Sequence, residues 1–137
     1  MDPTSNLHAS KLQLDKELKS HLDKITCLIQ LNDGRIASCS HDYNIKVYNQ
    51  NTFQTEIQVK AHDFAILNIS QTKNNILLSC GCDCTVKLWE VREKDLQYCG
   101  VLVGHTRWVL NAISLNENEI ASCSEDQTVK IWDISSI

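Results

Sequence analysis

Residues Ile120–Asp133 read IASCSEDQTVKIWD, and the pattern occurs twice more upstream, as IASCSHDYNIKVYN over Ile36–Asn49 and LLSCGCDCTVKLWE over Leu77–Glu90. A histidine precedes each copy: His21 in KSH, His62 in KAH and His105 in VGH. The spacing from histidine to serine is 17 residues in all three pairs, His21 to Ser38, His62 to Ser79 and His105 to Ser122. Four residues further on stand Asp42, Asp83 and Asp126, and six beyond those stand Tyr48, Trp89 and Trp132. Only the stretch from the aromatic residue to the next histidine changes length. A rigid unit of fixed length joined by one elastic loop is the mark of a stacked repeat, and the period of 41 to 43 residues matches the ~40–45 residues of a four-stranded propeller blade.

Each unit divides into four short strands. Apolar runs at Ile25–Leu31, Ile66–Ser70 and Val109–Leu115 begin four residues after the histidines. Asn32–Arg35, NDGR, carries an Asp-Gly pair that predicts a two-residue hairpin. The second strand enters the Ser/Cys-rich stretch. After a turn at the aspartate, the β-branched runs NIKVY, TVKLW and TVKIW supply the third. The fourth comes from a ladder that aligns residue for residue, LQLDKELKSH, FQTEIQVKAH and LQYCGVLVGH, so that Leu12–Leu18 reads as a leading fourth strand. Lys11, Lys16 and Lys19, mixed with Asp15 and Glu17, give it the charge of an exposed edge strand. No long segment has a helical period, so the chain reads as all-β.

The GH…SxSxDxTVKxWD pattern resembles the WD-repeat (WD40) β-propeller family from Lys11 to Ile137, with a short polar tail over residues 1–10 and repeats at about 11–50, 51–94 and 95–137. Repeat three matches throughout. The others depart from the pattern at Ser20 and Ala61 in place of glycine, Tyr48 in place of tryptophan, and Asn49 and Glu90 in place of the final aspartate. The resemblance implies a fold of three four-stranded antiparallel blades, an incomplete propeller unless a second copy closes it.

It also implies a buried network in each blade, in which the tryptophan N–H meets the serine, the serine meets the histidine and the histidine meets the aspartate. The sets are His21, Ser38, Asp42 and Tyr48; His62, Ser79, Asp83 and Trp89; His105, Ser122, Asp126 and Trp132. Such a network stabilises a thin blade only when every member is satisfied. Tyr48 offers a hydroxyl with a different reach from an indole, so the first network is expected to be broken or bridged by water. A Ser-His-Asp hydrolase would use the same residue types, but a triad needs one exposed nucleophile and an oxyanion site. Here the trio recurs three times with no Gly-x-Ser-x-Gly elbow, which a scaffold explains and catalysis does not. No catalytic residue and no cofactor is expected.

The run SCGCDC over Ser79–Cys84 raises thiol and metal chemistry as an alternative. Cys80 shares its repeat position with Cys39 and Cys123, a strand slot suited to a small buried residue. Cys82 and Cys84 align with the turn residues His41 and Tyr43, and with Glu125 and Gln127. Zinc sites favour Cys-x₂₋₄-Cys pairs, and alternate positions do not readily turn three sulfurs onto one ion. A redox role for an exposed turn thiol is the residual alternative.

Family resemblance also implies a partner-binding face at the loops after each histidine and before each turn aspartate. On this chain that face is Lys24, Thr26, Ala65, Leu67, Trp108 and Leu110, with His41, Cys82 and Glu125 from the turns. Trp108 is the foremost candidate, since aromatic residues dominate interface hot spots; packing between blades is its competing role. The expected partners are proteins or peptides. A net charge of -4 gives no footprint for nucleic acid. No run approaches the ~18 apolar residues of a membrane span, and the first ten residues hold no signal-peptide core. Seven cysteines without a secretory signal suit a reducing cytoplasmic or nuclear setting. Three repeats fall short of the ~4–8 blades of a propeller. Either the chain is a fragment or appendage of a longer repeat protein, the favoured expectation, or two copies close a six-bladed ring by exchanging Leu12–Leu18.

Overall fold

The computed structural model describes residues 9–137; of the polar tail expected over 1–10, residues 1–8 lie outside the described residues. Eleven strands form three antiparallel sheets, with no helix among the described residues. The first blade is β1 (Ile25–Gln30), β2 (Ile36–Ser40), β3 (Asn44–Tyr48) and β4 (Thr55–Lys60), paired in that order. The second is β5 (Ile66–Gln71), β6 (Ile76–Gly81), β7 (Thr85–Val91) and β8 (Leu96–Val103). The third has β9 (Val109–Asn116), β10 (Glu119–Ser124) and β11 (Val129–Asp133) and stops at three strands. The result is an open array of propeller blades.

Alternation fixes which side chains meet the neighbouring blade. From the first blade Ala37, Cys39, Ile45 and Val47 point into one cluster with Ile66, Ile69, Leu77, Trp89 and Leu96 of the second. The same repeat positions of the second blade, Leu78, Cys80, Val86 and Leu88, cluster with Val109, Ala112 and Ile120 of the third. Each junction is therefore a two-layer apolar core, and the burial of these residues is the main term holding blade to blade. Polar bonds fix the alignment: Ser70 Oγ donates to Ala112 O at 2.6 Å and Asn32 Nδ2 to Thr72 O at 2.9 Å. Arg35 clasps the first blade to the second, its guanidinium donating to the carbonyls of Arg92 and Glu93 at 2.8 and 2.9 Å while Asp33 neutralises it.

Two sequence expectations are corrected. NDGR makes a hairpin, but not a two-residue one. Leu31 N–H donates to Arg35 O at 2.7 Å and Gly34 N–H to Leu31 O at 2.9 Å, with Gly34 at φ 95°. That is the three-residue loop that closes on a left-handed glycine. Leu12–Leu18 forms no strand, edge or otherwise. The sheet that lacks a fourth strand is the third, at the far end of the array, so the leading segment has no edge to pair with. Its leucines stand in water, Leu12 91% and Leu14 77% exposed.

Candidate functional site

The turn between the second and third strands of each blade is the element around which the polar groups gather. Tyr43, Cys84 and Gln127 hold φ of 77°, 68° and 71°, and each N–H donates back across the turn, to Ser40, Gly81 and Ser124 carbonyls. This left-handed step swings the aspartate before it under the histidine loop. His62 Nδ1 then lies 2.6 Å from Asp83 Oδ2 and its Nε2 lies 2.8 Å from Ser79 Oγ. Trp89 Nε1 donates to the same Ser79 Oγ at 2.9 Å. The third blade repeats this geometry: His105 to Asp126 at 2.7 Å, His105 to Ser122 at 2.7 Å and Trp132 to Ser122 at 2.8 Å.

An indole N–H can only donate and a carboxylate can only accept, so the chain of bonds has one direction. Ser79 Oγ accepts from Trp89 and gives its own hydrogen to His62 Nε2, and His62 Nδ1 donates to Asp83. Burial resists the charge on Asp83, but the bonds from His62 and Thr85 outweigh it and hold the carboxyl below its ordinary range. Asp42 and Asp126 are lowered too; burial opposes in each, and backbone N–H, hydroxyl and histidine donors prevail.

In the first blade Tyr48 closes the chain without water. Its hydroxyl lies 2.8 Å from Ser38 Oγ and 2.6 Å from Ser20 Oγ, while His21 reaches Ser38 at 2.7 Å and Asp42 at 2.8 Å. Two of that repeat's three departures from the family pattern, Ser20 and Tyr48, compensate one another. A Cβ on Gly104 would stand 2.9 Å from Trp132 Cη2, which shows how closely the indole fills that corner. The shorter phenol of Tyr48 leaves room for the Ser20 side chain, whose hydroxyl joins the network.

These serines cannot serve as nucleophiles. Ser38, Ser79 and Ser122 are 2%, 0% and 2% exposed and each already holds both partners. Three of the cysteines, Cys39, Cys80 and Cys82, are held away from the thiolate form. Burial pushes Cys39 up to about 12 and raises Cys80 further. Cys82 is also raised, by burial first and then by the charges of Glu125 and Asp83. A protonated thiol is neither nucleophile nor metal ligand. Among the described residues no group of three or more His, Cys, Asp or Glu is placed to hold a metal ion.

The predicted partner face divides in two. Backbone bonds join the turn to the histidine loop in each blade: His41 N–H to Lys24 O at 2.9 Å, Cys82 to Ala65 at 2.9 Å and Glu125 to Trp108 at 3.0 Å. Lys24, Trp108 and Leu110 are exposed, while Ala65 and Leu67 are half-buried. Thr26 is half-buried, and its hydroxyl donates to Ile66 O of the second blade at 2.7 Å, a bond that aligns the two blades. Cys82 and Cys84 of the second blade line a hollow of about 360 Å³ with Thr106, Arg107, Trp108 and Glu125 of the third. Arg107 Nη2 lies 3.5 Å from Glu125 Oε1 on its rim, and Trp108 is 47% exposed.

Two recurring contacts escaped the sequence reading. Lys46 and Lys87 donate their ammonium groups to the carbonyls of Ser20 and Ala61, next to the histidines, the latter at 3.1 Å. Thr85 and Thr128 add a hydroxyl bond to the turn aspartate, at 2.8 and 2.6 Å. The signal was present, because a lysine follows the aspartate by four residues in all three repeats.

Comparison with known proteins agrees with this geometry. The family model described as WD domain, G-beta repeat, matches residues 12–49, 53–90 and 96–133. The chain is 29% identical over 98 residues to the DENN domain and WD repeat-containing protein SCD1 of Arabidopsis thaliana, a match covering 71% of this chain and 8% of that protein. It is 34% identical over 98 residues to the nuclear distribution protein PAC1 of Ajellomyces capsulatus, covering 67% of this chain and 21% of that one. A solved structure of U3-55K superposes with a TM-score of 0.79 at 21% identity, over 87% of this chain and 38% of the other. The chain thus spans a small part of the length of the relatives it matches.

Proposed function

The chain belongs to the WD-repeat (WD40) family, and on that footing we propose that it is a non-enzymatic scaffold that binds a protein or peptide partner on the loop face of its blades. WD-repeat proteins generally bind other proteins and the family is generally non-enzymatic. The observation that carries the reading is the hollow between the second and third blades. An aromatic side chain, Trp108, stands half-exposed beside the Arg107–Glu125 ion pair, on loops held by satisfied buried networks. A rigid support with an amphipathic aromatic anchor is the arrangement of a binding hot spot. Lys24 and His41 extend this face onto the first blade, with Ala65, Leu67 and Leu110 contributing apolar surface. Seven thiols, with Cys39 and Cys80 buried inside blades, suit a reducing compartment, cytoplasmic or nuclear.

The share of the relatives that is matched favours a companion reading. These repeats would then be one part of a longer WD-repeat protein whose particular activity lies outside residues 1–137. Affinity capture with the purified chain tests the proposed face. Proteins retained by the wild type are expected to be lost with Trp108→Ala and with Glu125→Lys, at unchanged far-UV circular dichroism. An identical retained set for all three chains would refute it.

A further inference from the structure

The hollow between the second and third blades carries an imbalance of charge. Cys82 and Cys84 form one wall, with Asp83 between them in the same turn, and Thr106, Arg107, Trp108 and Glu125 form the other. Asp83 and Asp126 stay below their ordinary range, so both are ionised, and their histidine partners are neutral, each receiving a serine hydrogen at Nε2. Glu125 adds a third carboxylate. Arg107 is the one cation among the described residues that line the hollow. The Cys82 thiol registers the balance, being raised by burial first and then by the negative charges of Glu125 and Asp83. Arg107 does little to settle this charge. Its side chain is 65% exposed and its Nη2 lies 3.5 Å from Glu125 Oε1, so water competes for both partners and the pair opens easily.

The aromatic wall, by contrast, is fixed. Thr106 N–H donates to Asp126 Oδ2 at 3.2 Å, Ser124 Oγ to Arg107 O at 3.2 Å, and Glu125 N–H to Trp108 O at 3.0 Å. Three successive residues are thus pinned to the turn below, and the half-exposed indole is held in place without help from a partner. The first junction shows what such a place accepts. There the chain brings its own cation: Lys60 Nζ stands 5.9 Å from the Tyr43 ring centroid and 3.3 Å from Asp63 Oδ1. By repeat position Tyr43, Lys60 and Asp63 correspond to Cys84, Val103 and Thr106. Cys84 and Thr106 line the hollow at the second junction, and Val103, 71% exposed, brings no charge. A ring and a carboxylate are still present there, as Trp108 and Glu125, without the ammonium between them.

On the reading that this hollow is where the partner binds, we propose that the occupant is a basic segment of that partner, which inserts an arginine side chain between Trp108 and Glu125. A guanidinium is planar, so its face lies on the indole while its edge gives hydrogen bonds to the Glu125 carboxylate. It displaces Arg107, which moves into the solvent that already covers most of it. The aliphatic stem of the incoming arginine packs against the Cys82 and Cys84 side chains, which offer small, polarisable surface. An acidic segment would meet three carboxylates with one exposed arginine in its favour, so charge selects the basic one.

NMR of the whole chain reads the site through its indole N–H signals. Those of Trp89 and Trp132, bonded to Ser79 and Ser122, report the buried networks, and that of Trp108 reports the hollow. The probe is acetyl-Gly-Arg-Gly-amide, with the citrulline peptide as its neutral counterpart and the glutamate peptide as its acidic one. The arginine peptide is expected to move the Trp108 signal saturably, with an affinity on the order of millimolar, and to leave Trp89 and Trp132 in place. The other two peptides are expected to leave all three signals in place. Glu125→Gln should weaken the arginine response at least about threefold. Arg107→Gln removes the competing cation and should strengthen it about two- to fivefold. Weaker binding in Arg107→Gln, an equal response to citrulline or glutamate, or shifts spread evenly over the surface would overturn the proposal. Affinity capture separates this outcome from the reading beneath it. Retention that depends on Trp108 without any arginine response strikes the arginine site alone, whereas retention indifferent to Trp108 strikes the partner face and the proposal with it.

Discussion

Ser79→Ala is the sharpest probe of the buried networks. The Ser79 side chain is 0% exposed, and its hydroxyl holds the Trp89 N–H at 2.9 Å and His62 Nε2 at 2.8 Å. Removing it orphans one donor and one acceptor in a place water does not reach. Each orphaned group costs about 1–3 kcal/mol, so the expected loss is about 2–6 kcal/mol, a large part of the ~5–15 kcal/mol that holds a typical domain together. In melting temperature that is roughly 6–30 °C. Ser38→Ala gives the comparison. Tyr48 also touches Ser20 at 2.6 Å, so its hydroxyl keeps a partner and only His21 Nε2 is left unpaired. Its loss should be about half that of Ser79→Ala, or ~1–3 kcal/mol. Urea titration followed by far-UV circular dichroism, at one fixed protein concentration because association shifts midpoints, measures both. The reasoning fails if Ser79→Ala unfolds within about 0.5 kcal/mol of the wild type, or if Ser38→Ala costs as much as Ser79→Ala.

Acid should weaken the fold through the turn aspartates. The Asp83 carboxyl lies below its ordinary 3.8 when folded, so its contribution is complete above that value and is lost as pH falls through the lower, folded one; Asp83→Asn should flatten the decline that wild type shows in unfolding free energy below about pH 4. The exchange at positions 20 and 48 should be coupled. Tyr48→Trp alone crowds the Ser20 side chain and is expected to cost about 1–2 kcal/mol, while Ser20→Gly added to it should recover most of that loss, and strictly additive urea midpoints would count against the compensation.

The amino-acid sequence determined the repeat and what depends on the repeat alone. Fixed spacing from histidine to serine to aspartate to aromatic residue put the same polar groups at the same place in every unit. Strand alternation then decided which side of each blade is apolar, and those features are local to one blade of about forty residues. The serine–cysteine stretch could be assigned to a strand and a turn for the same reason, although three alternate cysteines look like chemistry when read by themselves. What only the tertiary structure decided is what passes between segments far apart in the chain. The sequence places Thr26 in a loop, and only the structure gives its hydroxyl to Ile66 O, forty residues on. Tyr48 looked like a break in the network until its hydroxyl reached Ser38 directly and took Ser20 as a second partner. Leu12–Leu18 carries the pattern of a strand, yet a strand exists only where an edge lies within hydrogen-bonding distance, and the unpaired edge of β11 is at the other end of the array. Pattern specifies what a segment can become; the neighbour that it meets in space decides whether it does.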